Sequence, residues 1–426
     1  DNDNNGIYDP SFGDYPLIKG DQSIYYIYND ARNIHTETGG SKVNVEIHVM
    51  AYAFNCNGPL GNTIFVNYKI YNRSTFNLFN TSIGVFTDLD LGFPYDDFIA
   101  CDVKRGSFYC YNGDSIDGNG LPPSYGTQPP SQAVVVLGGP YMNSDGIDNP
   151  KIDSLGNPLC DNSINGLNFG DGITDNERLG LTKFYQYGIN TNTPIYQPVP
   201  PSYYYNYVKG YLHDSTRISF GGSGHIYGNP PAYGPACNFM FPGDTDPCNW
   251  GTGGVVPNGP VYWSEESTGN VPYDRRSISV TGPFSFAAGQ MHELDLAYVW
   301  AKADAGGPFA SVELMRLAID SVRYYFINDS TPCEGSFTDV DYKTWEEDII
   351  QDFNIYPNPS NDKITIMQSS DIEYNRYEIF DIIGKSVVSG KLEELTIVNI
   401  NILPNGLYFV KAFNKNRVST KNFIKN

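Results

Sequence analysis

Before residue 330, apolar and polar positions alternate most clearly in three stretches. Val43-Asn44-Val45-Glu46-Ile47-His48-Val49-Met50-Ala51-Tyr52 alternates for most of its length, and Phe65-Val66-Asn67-Tyr68-Lys69-Ile70-Tyr71 does so more loosely. In Leu294-Asp295-Leu296-Ala297-Tyr298-Val299-Trp300 the even positions place Leu294, Leu296, Tyr298 and Trp300 on one face. A period of two predicts strands, and one apolar face per strand predicts a sandwich with one dry side. The period changes once. After Gly307-Pro308, with Ser311 as a cap, Val312, Met315, Ile319, Val322 and Phe326 recur at steps of three and four until Asn328-Asp329, which predicts a helix. Residues 122–205 have little periodicity and much Pro, Gly, Asn and Tyr, so long loops packed over the scaffold are expected there. Beyond residue 352 short apolar runs return: Lys363 to Ile366, Tyr377 to Asp381 and Gly406 to Lys411. Turn signals at Asn358-Pro359-Ser360-Asn361, Ile383-Gly384-Lys385 and Pro404-Asn405-Gly406 separate them. That spacing predicts a small β-sandwich of about seven strands.

Composition sharpens this division. Residues 352–426 hold eight acidic and nine basic residues and no Cys or His, whereas residues 1–351 hold 40 acidic against 18 basic. The expected organisation is a β-rich body over 1–328 with room for two subdomains, a linker over 329–351, and a C-terminal domain over 352–426. The 33 Tyr, 43 Gly and 29 Pro beside six Met favour strands and turns over helices throughout. The fold class expected is mainly β: a β-sandwich body with long loops and one C-terminal helix, followed by a small Ig-like β-sandwich. A net charge of -21 repels phosphate, which argues against nucleic acid as a partner. The first residue is Asp1, with no leader in view, so the body reads as a mature form or as incomplete at its N-terminus.

Four ordered motifs near the chain end carry a resemblance. They are Tyr356-Pro357-Asn358-Pro359-Ser360, the turn Phe380 to Lys385 with Gly384, the stretch Leu403-Pro404-Asn405-Gly406-Leu407-Tyr408, and the terminal Lys421-Asn422-Phe423-Ile424-Lys425. Together they resemble the type A C-terminal sorting domain of the type IX secretion system. The resemblance implies export across the outer membrane of a Bacteroidota-type bacterium and a secreted or cell-surface location. It further implies recognition by the translocon and its outer-membrane shuttle protein, removal by a sortase-like surface protease, and attachment to lipopolysaccharide. Cleavage is expected near Glu346 to Asp352. The body resembles uncharacterised secreted proteins that carry the same domain, a likeness that brings no chemistry with it.

The candidate chemistry of the body is mostly that of carboxylates. Asp1, Asp3, Asn5 and Asp9 stand at alternate positions around Gly6, as in the opening of a calcium loop, although Phe12 occupies the place where an EF-hand has Glu. Asp88 and Asp90, followed by Asp96-Asp97, form a second candidate. Asp145 and Asp148 with Asp171 and Asp175 form a third, able to tie down the long loop. Structural calcium is the cofactor expected, with Asx turns as the alternative use of the same side chains. Seven Cys in an exported chain suggest disulfides, and the short spacings pair Cys101 with Cys110 and Cys237 with Cys248, leaving Cys56, Cys160 and Cys333 unassigned.

Catalytic signatures are weak. His292-Glu293-Leu294-Asp295-Leu296 has Leu where a zincin needs its second His, and Gly221-Gly222-Ser223-Gly224-His225 lacks the last Gly of a nucleophile elbow. Tyr203-Tyr204-Tyr205-Asn206-Tyr207 is expected to pack rather than to stack on sugars. The reading is a non-enzymatic structural or adhesive surface protein. The competing one is a secreted polysaccharide-acting hydrolase or a carbohydrate-binding protein.

Overall fold

The computed structural model describes residues 18–32, 35–36, 38–119, 121–188, 196, 198, 200–333, 337, 353–368, 374–381, 385–414 and 418–426. The chain divides into two compact units, 1–340 and 341–426. Both are built from antiparallel strands, so the molecule is mainly β as its patterning predicts.

Among the described residues, ten strands make the first unit: β1 (Gln22–Asn29), β2 (Val45–Ala53), β3 (Thr63–Asn72), β4 (Leu78–Asp88), β5 (Asp97–Asp102), β6 (Ser107–Asn112), β7 (Ser131–Gly138), β8 (Lys183–Tyr187), β9 (Arg276–Phe286) and β10 (Met291–Ala301). Seven of them form one sheet in the order β1-β2-β3-β10-β7-β6-β5, and the other three form a second sheet in the order β4-β9-β8. Three α-helices accompany them among the described residues: α1 (Pro201–Lys209), α2 (Glu265–Thr268) and α3 (Gly307–Ile327). The long helix α3 packs on β7, β10 and β6, while α1 packs on β4 and β9.

This layering corrects one expectation. On β10 not only Leu294 and Leu296 are buried but also Ala297 and Val299 on the opposite face, because the second sheet covers one side and α3 the other. A strand at the centre of such a stack is dry on both faces. Helix α3 begins about a turn before the cap read from the sequence. Gly306, in the left-handed region, stands at its start, and Ser311 is instead buried, its hydroxyl donating to Pro129 O at 2.7 Å. The tyrosine-rich stretch forms α1, with Tyr207 fully buried and Tyr205 exposed.

The second unit has strands β11 (Phe353–Tyr356), β12 (Lys363–Gln368), β13 (Arg376–Phe380), β14 (Ser386–Lys391), β15 (Leu395–Asn399), β16 (Gly406–Phe413) and β17 (Val418–Lys425). They form sheets β11-β12-β15 and β14-β13-β16-β17, closing over Phe353, Ile364, Ile366, Ile379, Val398, Val410 and Phe423. The alternation in β12 buries Ile364 and Ile366 and exposes Lys363 and Met367, as a half-buried strand requires.

Two disulfides, Cys56–Cys333 and Cys160–Cys248, cross-link the body. The pairs expected from short spacing do not form. The β5–β6 register sets Cys101 opposite Phe108 and Cys110 opposite Ile99, so the two cysteines sit on a diagonal rather than facing each other, their backbone positions about 7 to 8 Å apart. Each is buried, and each donates to a carbonyl, that of Met240 and that of Leu89 respectively. Cys237 is a buried free thiol, since Cys248 is taken by Cys160.

Candidate functional sites

In the C-terminal unit three of the four sequence motifs meet at one strand, β17. Asn358 accepts a hydrogen bond at Oδ1 from the Ile424 N–H (2.9 Å) and donates through Nδ2 to Asn422 O (3.2 Å). The Ser360 N–H bonds Ile424 O at 2.9 Å, and the Asn426 N–H returns to Ser360 O at 3.0 Å. The segment of Tyr356, Pro357, Asn358 and Pro359 is thus laced to β17, which two cis peptides before the prolines accompany. Lys421 reaches Asn354 Oδ1 at 3.1 Å and lies over the Phe353 ring. Gly406 opens β16; two residues on, Tyr408 donates to Pro404 O at 2.8 Å and stacks on Phe423 with ring centroids 5.6 Å apart. Lys425 is largely buried at the end of β17. Asp381 and Lys385 close the remaining turn through their backbones, and Gly384 lies outside the described residues.

The carboxylates of the body separate into three cases. Asp1, Asp3, Asn5 and Asp9 lie outside the described residues. Asp88 and Asp90 come together with Asp274, a third acid that nothing near them in sequence announces, with oxygens within 4.8 Å of one another. Burial first, then Asp88 and Asp274, hold the Asp90 carboxyl above its ordinary range. Three carboxylates suit a hard cation. Here, however, the guanidinium of Arg276 stands 3.1 Å from Asp88 and 3.5 Å from Asp274 and supplies the counter-charge, so the cluster as folded fits calcium poorly.

The loop carboxylates are used differently again. Asp175 accepts from the N–H groups of Asp145 and Gly146, Asp148 from those of Gly170 and Gly172, and Asp171 from that of Ile173. These bonds tie the two halves of the loop without converging the four side chains, which is the turn chemistry left open as the alternative. His292 is a core residue between Phe284 and Phe286, and burial lowers its pKa.

Sequence reasoning missed the two edges of the seven-stranded sheet. At β5 the outward N–H groups of Ile99, Cys101 and Val103 bond Glu265 Oε1, Phe241 O and Thr245 Oγ1, and Asp97 O accepts from the Tyr273 N–H. Glu265 is fully buried; Arg275 Nε at 2.9 Å and Asn270 Nδ2 at 3.0 Å hold its second oxygen. Burial raises its pKa and Arg275 opposes the rise. At the other edge β1, Gln-Ser-Ile-Tyr-Tyr-Ile-Tyr-Asn, carries no charge, and Ile24, Tyr25, Tyr26, Ile27 and Tyr28 are 46–65% exposed. Beside it runs a groove of about 690 Å³ lined by Tyr25, Ile27, His48, Met50, Lys69 and Tyr71 among others. In it Tyr25 Oη and His48 Nδ1 are 2.9 Å apart, His48 Nε2 stands 3.0 Å from Glu46, and Arg73 holds Glu46 from the far side. Eight uncharged residues between Asp21 and Asp30, five of them a consecutive run of Ile and Tyr, were the available signal for this strand.

Residues 354–426 match the family described as a secretion system C-terminal sorting domain. The chain therefore carries a type IX export domain, engages that secretion machinery, and is secreted or displayed at the cell surface. Among the described residues no helix is long and apolar enough to cross a membrane. No curated protein matches the chain. Among solved structures it aligns with a polysaccharide lyase at 7% identity and a TM-score of 0.21 over 95% of this chain and 39% of that one, so it spans well under half of that protein's length.

Proposed function

We propose, from the premise that residues 354–426 are an export domain, that the body is a surface protein that works by binding, as a structural or adhesive element, without transforming a substrate. The observation that supports this is the uncharged aromatic strand β1, open to solvent on a sheet whose opposite edge is sealed by a buried ion pair. Exposed aromatic surface of this kind marks a place where another surface docks. The shuttle protein, the surface protease and lipopolysaccharide belong to the same proposal as partners in delivery and anchoring.

A carbohydrate-binding reading is favoured by one feature, the groove with Tyr25 and Tyr71 beside His48, Asn67 and Lys69. Both readings meet in one experiment. The purified chain is measured for attachment to cells and to immobilised polysaccharides, and the same mixtures are assayed for new reducing ends or unsaturated products. Attachment without product is expected. Turnover of any polysaccharide would overturn the non-enzymatic reading, and competition by soluble glycans would assign the adhesion to the groove.

A further inference from the structure

The adhesive reading leaves open what lies against β1, and this inference rests on that reading. We infer that the open edge of β1 pairs with β1 of a second copy of this chain, joining two seven-stranded sheets across a twofold axis. The Asp30 N–H bonds Val45 O, so with the alternation of an antiparallel ladder the backbone groups of Ser23, Tyr25, Ile27 and Asn29 point away from β2. Among the described residues nothing is paired with them. An edge this long, apolar and uncharged is a template for another strand.

Charge and symmetry favour a second copy. Antiparallel pairing of outward-facing residues with Tyr25 on the axis sets Ser23 against the second copy's Ile27, Ile24 against its Tyr26, and Asp21 against its Asn29. No like charges oppose each other. Tyr–Ile pairs are among those that stabilise neighbouring strands. The net charge of -21 acts against association, but β1 itself carries none of it, and charges farther than about 8 Å are screened at physiological ionic strength. Asp21 and Asp30 are themselves engaged, accepting from the N–H groups of Asn55 and of Val43 and Val45. The twofold arrangement is closed, so it makes dimers and does not propagate into fibres.

Five half-exposed large side chains offer on the order of 500 Å² per copy, below the roughly 800 Å² per partner of a stable complex. The dimer is therefore weak, dissociating at micromolar concentration or above. The test is sedimentation of the full chain across a concentration series, beside Ile27→Pro, which deletes an outward N–H and leaves the β1–β2 ladder intact. Tyr25→Cys adds a chemical readout under mild oxidation, since the three native free thiols are buried. A concentration-dependent dimer, lost in Ile27→Pro and trapped through Tyr25→Cys, is expected. A chain that stays monomeric, or a dimer indifferent to Ile27→Pro, overturns the pairing. A monomer that still attaches to cells would sink this inference alone and leave the adhesive function standing.

Discussion

At the β5 edge of the large sheet, backbone groups that would face water are bonded to Glu265, Phe241 and Thr245; at the β1 edge, among the described residues, Ser23, Tyr25, Ile27 and Asn29 leave theirs open. The two edges belong to one sheet and differ in what the chain places against them. Sealing β5 requires burying the Glu265 carboxylate, which is costly unless an opposite charge and further donors meet it, and Arg275 and Asn270 do so. Edges left open in monomeric proteins are usually blunted by Lys, Pro or a bulge. β1 has none of these. The comparison teaches that exposure at β1 is a selective feature of one edge, since the same body seals the other at the cost of burying a charge.

The strongest way to break the contrast is Glu265→Ala. It leaves Arg275 buried without a counter-charge and the Ile99 N–H unbonded, and it should lower unfolding free energy by about 3 to 5 kcal/mol in a denaturant titration. A loss below about 1 kcal/mol would mean that the seal at β5 is incidental.

A smaller effect is expected at Asp97, the first residue of the sealed edge, whose carboxyl burial pushes up to about 8. The folded state therefore holds this proton far above the pH at which an unfolded chain releases it. The stability it contributes is complete at acid pH, is lost as pH rises from about 4 to about 8, and is level above that. Asp97→Asn should remove this slope and melt higher than the parent at pH 8.5 but not at pH 4. A melting temperature lowered equally at both pH values would show that the ionised carboxylate holds something in place.

The smallest effect belongs to the open edge. Tyr26→Ser should change stability by no more than about 0.5 kcal/mol, because the side chain is half exposed and its partner Tyr28 is also on the surface. A loss of several kcal/mol would show that β1 is covered within the single chain and that the two edges are not opposites after all.

Much of the fold was legible from local pattern. Alternation found β2, β3 and β10, a step of three and four found α3, and the charge break together with four ordered motifs found the export domain, because each signal is carried by residues close in sequence. The disulfides were not legible. Cys56 and Cys333 are 277 residues apart and Cys160 and Cys248 are 88 apart, and only the packed fold brings them within bonding distance. The short-range pairing of Cys101 with Cys110 failed on strand register, which the turn sets and the spacing of nine residues does not reveal.

The carboxylates divide along the same line. Composition made them candidates for a cation, yet the fold decided that Asp274 joins Asp88 and Asp90 and that Arg276 faces Asp88 and Asp274, and loop closure decided that Asp145, Asp148, Asp171 and Asp175 bond backbone N–H groups. By itself, then, the sequence determined the strand-forming character, the separate export domain and the destination outside the cell or at its surface, since periodicity and short motifs act over a few residues. The tertiary structure alone decided which strand lies at an edge, which charge is buried against Arg275 and which thiols meet, because each depends on groups from distant parts of the chain sharing one place.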